Sequence, residues 1–307
     1  MAFTALDVKN LREATGCGMR DCKKALTDAD GDFDKAVELL REKGLAAAAK
    51  KAGRIAAEGL VAAVVDPAQK AGVVIEVNSE TDFVGKNADF VAFVNACAQT
   101  VLEQNPADLD ALMACTIAGG SDTVEAVLRD KILTIGENIK IRRFIRYEGT
   151  LQSYIHGGGK IGVLVKFDTD VYDKVGFADY AKDVAMQIAA INPVYLKREE
   201  VPAEVIAKEK EILMAQIASD EKSKNKPAQI IEKMVEGRVG KYYKENCLLE
   251  QPFVKDDKMT VQQYTDNTAK ALGGKIQIVE FVRFEKGEGL EKREENFAEE
   301  IAKQLQK

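Results

Sequence analysis

Three short blocks of the chain return at one fixed spacing. Glu58-Gly59 recurs as Glu148-Gly149, Gly72-Val73-Val74 as Gly162-Val163-Leu164, and Ala88-Asp89-Phe90 as Ala178-Asp179-Tyr180, each displaced by 90 positions. A register held over three blocks marks two copies of one structural unit, so whatever shape the first copy takes must also suit the second. The match resumes at a wider spacing, with Ile139 to Glu148 echoed by Ile276 to Glu285, 137 positions on. The second copy therefore holds about 47 further residues.

Each copy reads as a strand, a turn, an apolar strand (Val73 to Val77; Val163 to Phe167), helices, and an alternating return strand. The expected class is α+β, with a duplicated core of two antiparallel sheets, each covered by helices. The first copy is expected over 57–147 and the second over 148–285. The extra residues, at about 199–246, read as two helices, Val201 to Asp220 and Pro227 to Asn246. Ile206, Leu213 and Ile217 form one apolar stripe, and Ile231, Met234, Val235 and Tyr242 form the other. Two facing stripes joined by the polar tip Glu221 to Lys226 predict an antiparallel coiled-coil hairpin.

Before the repeats, three short helices are expected over 1–44. Thr4 caps the first, with apolar positions Val8, Leu11 and Ala14; Gly16 and Gly18 break it. The second runs from about Met19 to Asp28, and Asp32 caps a third that Gly44 closes. The module resembles ubiquitin-associated domains and is too small for a deep active site. Its Gly16-Cys17-Gly18-Met19 turn leaves Met19 either as a docking knob or as core filler. The alanine-rich stretch 45–56 reads as a linker, partly helical. After Glu285 a flexible segment leads to a last helix capped by Asn296, completing a C-terminal module over 286–307.

Composition excludes several functions. A single histidine, His156, rules out His-x-x-x-His metal sites and leaves a His-based relay one candidate. Five cysteines without a Cys-x-x-Cys pair signal neither a disulfide framework nor a zinc ribbon. A net charge of −6 argues against nucleic acid as partner, and no run approaches the ~18 apolar residues of a membrane span. The N-terminus lacks secretory and transit features, so a cytoplasmic location is expected.

Two segments invite chemistry. His156-Gly157-Gly158-Gly159-Lys160 resembles a phosphate cradle or an esterase oxyanion loop. However, Lys160 is followed by Ile161 rather than Ser or Thr, and no Gly-x-Ser-x-Gly elbow exists. A tight hairpin turn explains the glycines better. Between an apolar strand and an apolar helix, Val77 to Asn87 carries Thr81-Asp82-Phe83-Val84, an acid beside an aromatic. Phe83 either tucks beneath the following helix or faces a partner. The second copy has Asp168-Thr169-Asp170-Val171-Tyr172 in that place, so the fold does not demand Thr-Asp-Phe-Val. Glu80 and Asp82 make no catalytic pair, because no nucleophile or metal cluster accompanies them.

Leu11 to Leu26, Asn78 to Val84, Ile135-Gly136-Glu137-Asn138, His156-Gly157 with Ile161 to Val165, and Gln251-Pro252-Phe253-Val254 together resemble bacterial elongation factor Ts over the whole chain. The resemblance implies a guanine-nucleotide exchange factor for elongation factor Tu, not an enzyme, and one without cofactor or metal. It further implies docking through Arg12, Met19 and Lys23, insertion of Thr81, Asp82, Phe83 and Val84 so that magnesium is displaced in the partner, and contacts from Ile135 and His156. It leaves room for a homodimer of the exchange factor within the complex, and no nucleotide binding by the chain itself is expected. The hairpin tip, Ser219 to Pro227, departs from the family in being longer. The alternatives are a phosphate- or nucleotide-binding enzyme using the His156 loop, and a non-catalytic adaptor.

Overall fold

A computed structural model describes residues 3–15, 17–68, 70–220 and 226–292. Three helices come first: α1 (Ala5–Thr15), α2 (Met19–Asp28) and α3 (Phe33–Lys51). Val8, Leu11, Cys22, Leu26, Ala36 and Leu40 form their core, whereas Ala14, expected to join it, is exposed. Thr4 caps α1, its hydroxyl accepting from the Asp7 N–H at 3.3 Å, and Asp32 caps α3 by accepting from the Lys35 N–H at 3.0 Å.

α3 corrects one expectation, since it runs through Gly44 to Lys51 instead of stopping at Gly44. One helical glycine costs only about 1 kcal/mol against alanine, and the alanines that follow are the best helix formers. The extension also packs along a later helix, α7 (Val124–Ile135), with Gly44 against Arg129 and Leu133 and the Lys51 ammonium donating to the Ile132 carbonyl at 3.0 Å. Within the stretch read as a linker, only residues 52–56 lie outside regular structure.

The first sheet pairs β1 (Glu58–Asp66), β2 (Ala71–Ser79) and β3 (Lys140–Glu148) antiparallel in that order. Between β2 and β3 come α4 (Asp82–Gly85), α5 (Ala88–Gln104), α6 (Leu109–Ala114) and α7. Leu60, Val73, Ile75 and Val77 on one face of the sheet meet Phe90, Val94, Val101 and Ile132 from the helices. The second sheet is also antiparallel, in the order β4 (Thr150–His156), β5 (Ile161–Thr169) and β8 (Ile276–Glu285). α8 (Phe177–Ile191) and α11 (Val261–Leu272) cover it over a core of Val163, Val165, Phe167, Tyr180 and Ile188.

Between α8 and α11 stand α9 (Ala203–Ser219), α10 (Ala228–Asn246) and the small ribbon β6 (Pro252–Phe253) with β7 (Asp256–Thr260). α9 and α10 bury Leu213 and Ile217 against Val235 and Val239, flanked by Ile206, Ile231, Met234 and Tyr243. Tyr243, not Tyr242, thus completes the stripe. Residues 221–225 of the tip, and the terminal helix expected beyond Lys292, lie outside the described residues.

The uncovered faces of the two sheets pack on each other through Val61, Val74, Leu164 and Phe284. This explains why all nine residues of β2 are buried: helices lie on one side and a second sheet on the other. Gly162 permits the approach, because a Cβ there would sit 2.4 Å from Val61 Cγ1. The registers are parallel in detail. β2 carries a bulge after Glu76, and β5 carries one after Lys166, 90 positions on.

At those bulges the charges are exchanged. Glu76 lies opposite Arg143, with Arg143 Nε donating to its carboxylate at 2.6 Å. Lys166 lies opposite Glu280, donating at 3.1 Å. Glu76 is fully buried, and its carboxylate also accepts from Arg142 at 3.0 Å, Asn78 Nδ2 at 3.1 Å and the Gly287 N–H at 2.8 Å. Burial alone would raise its pKa, but the hydrogen bonds from Gly287, Asn78, Arg143 and Arg142 outweigh that and hold it below the ordinary 4.5. One acid on β2 thereby fastens the chain that leaves β8.

Candidate functional site

β2 ends with Asn78 and Ser79 still buried, and the chain turns out at Glu80. Thr81 then opens the single turn of α4. The two apolar residues of that turn part company: Val84 is buried in the first core, and Phe83 is 79% exposed. Gly85 brings the turn hard against the start of β1, since a Cβ there would lie 2.6 Å from the Gly59 carbonyl oxygen. Asn87 ends the segment by capping α5, its side chain accepting from the Asp89 and Phe90 N–H groups.

The turn is tied to the chain that follows α7. Glu137 accepts the Glu80 and Thr81 N–H groups at 3.0 Å each and the Thr81 hydroxyl at 2.6 Å. Glu80 reaches back, accepting the Asn138 N–H at 2.6 Å and Arg54 at 3.3 Å. Asn138 Nδ2 closes the web on the Arg54 carbonyl at 2.8 Å. On the outer face, Lys86 donates to the Asp82 carboxylate at 2.8 Å. That hydrogen bond holds the Asp82 carboxyl below the usual carboxylate range and raises the Lys86 ammonium. Both side chains remain at the surface, so the pair leaves charge available beside Phe83.

Two clefts flank the loop. One, of about 540 Å³, is lined by Ile55, Ala57, Glu58 and Lys292 together with Glu80 to Phe83. The other, of about 360 Å³, lies between Asp82, Gly85 and Lys86 and the β4–β5 turn from Gly157 to Lys160. That turn is tied in place: the Val61 N–H donates to the Gly159 carbonyl at 2.8 Å, and the Lys286 N–H to the Lys160 carbonyl at 2.9 Å. The glycine-rich segment is thus a hairpin turn that packs against β1. His156, at the end of β4, is exposed, with Nδ1 3.1 Å from the Tyr154 hydroxyl.

Arg12, Met19 and Lys23 gather elsewhere, around a cleft of about 960 Å³ between α1 and α2 that Phe3 and Val8 floor. Met19 is 62% exposed, which leaves its side chain outside the module's core. Ile135 differs from the rest: it is half-buried at the end of α7, packed on the first core. Its position is the root of the segment that carries Glu137.

The sequence reading assigned no site role to Glu137, Asn138 or Arg54. The signal was the run Ile135-Gly136-Glu137-Asn138, whose polar residues directly follow an apolar helix. Among the described residues, no group of three or more His, Cys, Asp or Glu side chains is arranged to hold a metal ion. Nor is any helix among them long and apolar enough to cross a membrane.

Comparison with known proteins gives a consistent result. A family model described as Elongation factor TS matches residues 80–288. The chain is 50% identical over 308 residues to Elongation factor Ts of Clostridium botulinum (strain Alaska E43 / Type E3), covering 99% of this chain and 100% of that one. It is 52% identical over 305 residues to Elongation factor Ts of Clostridioides difficile (strain 630), covering 99% of each. It is 52% identical over 309 residues to Elongation factor Ts of Trichlorobacter lovleyi, covering 98% of each.

Proposed function

Since the chain belongs to the elongation factor Ts family, we propose that it binds elongation factor Tu in its GDP-bound form and speeds release of the nucleotide, so that GTP can rebind during translation elongation. It is an exchange factor and catalyses no covalent step. In this reading Thr81 to Val84 enter the partner beside its magnesium and phosphate site, with Phe83 as the wedge.

The observation that carries the reading is the opposite placement of neighbours on one helical turn, Val84 anchored in the core and Phe83 held out in solvent. A wedge has to be exposed before binding, and its backbone has to resist being pushed back. Asp82 brings a carboxylate to the same point, where it accepts hydrogen bonds from the partner or shifts the charge balance around the magnesium ion.

Arg12, Met19 and Lys23 supply docking at a distance from the wedge, a soft apolar knob and two cations lining one cleft. His156 and Ile135 stand nearer the loop and add to the contact on the same partner domain. No acid, base or nucleophile is needed. GDP is held by phosphate contacts and a bridging magnesium ion, so distorting that site weakens the nucleotide. The coupling is reciprocal, and rebinding of GTP therefore expels the factor.

Stopped-flow release of fluorescent GDP from elongation factor Tu tests the proposal. The chain should accelerate release in proportion to its concentration until the partner is saturated. Release no faster than the intrinsic rate refutes it, and tight binding with no acceleration identifies an adaptor instead.

A further inference from the structure

We propose that Glu137 is a positioning residue for the exchange loop, holding the turn that presents Phe83; the inference rests on the exchange reading above. α4 is a single turn, too short to be stable by itself. Its N-cap, Thr81, makes no capping hydrogen bond to the turn, and its hydroxyl donates to Glu137. The same carboxylate takes the Glu80 and Thr81 N–H groups. Three donors from two consecutive residues thus converge on one side chain from a segment 56 positions away. Charge-assisted bonds of this kind are about twice as strong as neutral ones, and they fix both position and orientation.

The second sheet provides an internal control. α11 ends at Leu272 with Gly273 in the left-handed conformation, as α7 ends at Ile135 with Gly136. The third residue after each helix then makes the same bond. The Lys275 N–H donates to Asp170 at 2.6 Å, and the Asn138 N–H to Glu80 at 2.6 Å. That bond is common to both copies and belongs to the architecture.

Glu137 is where they differ. Its counterpart, 137 positions on, is Gly274, and a Cβ there would fall 2.2 Å from Val171 Cγ1. Val171 stands where the first copy has Thr81, and it is buried. The copy without Thr-Asp-Phe-Val therefore closes its turn with an apolar side chain and has no carboxylate strap. The copy with Phe83 has the strap, which the sheet and its helices do not require.

Glu137→Ala and Glu137→Gln in the full chain test this through two readouts. In GDP release from elongation factor Tu, Glu137→Ala should lower the rate at saturating factor roughly tenfold. The concentration for half-saturation should move much less, because docking at Arg12, Met19 and Lys23 is untouched. Glu137→Gln keeps one acceptor oxygen and should retain an intermediate rate. Combining Glu137→Ala with Phe83→Ala should cost no more than Phe83→Ala alone, as expected of residues acting through one element.

Hydrogen exchange in the free protein is the second readout. The Glu80 and Thr81 amides should exchange at least about tenfold faster in Glu137→Ala, with an unchanged melting temperature. Full release rate in Glu137→Ala, multiplicative losses in the double variant, or unchanged exchange at Glu80 and Thr81 would overturn the proposal. If the wild-type chain itself fails to release GDP, the exchange reading falls, and the two amides alone decide whether Glu137 holds the turn.

Discussion

Replacing Phe83 with alanine separates the cost of a wedge from the cost of a core residue, and both can be worked out from its exposure. A phenylalanine carries about 200 Å², and Phe83 is 79% exposed in the free chain. Only about 40 Å² is already buried, so truncation costs at most about 1 kcal/mol of fold stability at about 25 cal/mol per Å². In a protein of this size that is a drop of about 2–4 °C in melting temperature or less. On insertion the remaining area, about 160 Å², is worth about 4 kcal/mol gross. Deducting about 0.5–1.5 kcal/mol for ordering the side chain leaves about 2.5–3.5 kcal/mol, or a loss of roughly 60- to 300-fold. Stopped-flow GDP release and a thermal melt of the same preparation measure the two terms. A release rate within about threefold of wild type, or a melting temperature lower by more than about 10 °C, would refute the reasoning.

Four further outcomes follow from groups away from the wedge. Glu76→Ala removes the buried carboxylate shared by Arg142, Arg143, Asn78 and the Gly287 N–H and should cost about 3–5 kcal/mol, read from the urea midpoint. Because the Glu76 carboxyl titrates below 4.5 in the folded chain, its stabilisation is complete above pH 4.5 and is lost as pH falls through that lower value; the gap between wild type and Glu76→Gln should narrow in step. Lys166→Ala removes the charge-exchanged counterpart, which is more exposed, and should cost less than about 1 kcal/mol in the same assay. Burial pushes the Cys97 thiol up to about 12 and Cys247 to about 11, and raises Cys17 and Cys22. Iodoacetamide at pH 8 should therefore label Cys115 first, as seen by peptide mass spectrometry.

The sheets and their helices were legible because periodicity records which face of a strand is buried, and the offsets of 90 and 137 supplied the strand correspondence. Periodicity does not record what covers that face. The unbroken apolar run of β2 is buried from both sides, and the second side, the other sheet, left no separate mark in the sequence. α3 ran past Gly44 because its last turns rest on α7, a contact more than eighty positions away. At the candidate site, the acid and aromatic stood out locally. The strap did not, because Glu137 meets Glu80 and Thr81 through polar contacts that no spacing rule marks. Glu76 was likewise one acid in an apolar strand until four donors were seen around it.

Two sheets with the same strand order and the same bulge register create an ambiguity while the chain is still assembling. By strand order and bulge register alone, β3 and β8 offer β2 the same pairing pattern, and the same holds for β5. The exchanged charges resolve the choice. A hybrid of β2 with β8 would set Glu76 against Glu280, and a hybrid of β5 with β3 would set Lys166 against Arg143. Each error confronts like charges across the strands, at the bulge where the register is fixed. The pair at each bulge therefore favours a strand's own closing partner over that of the other copy.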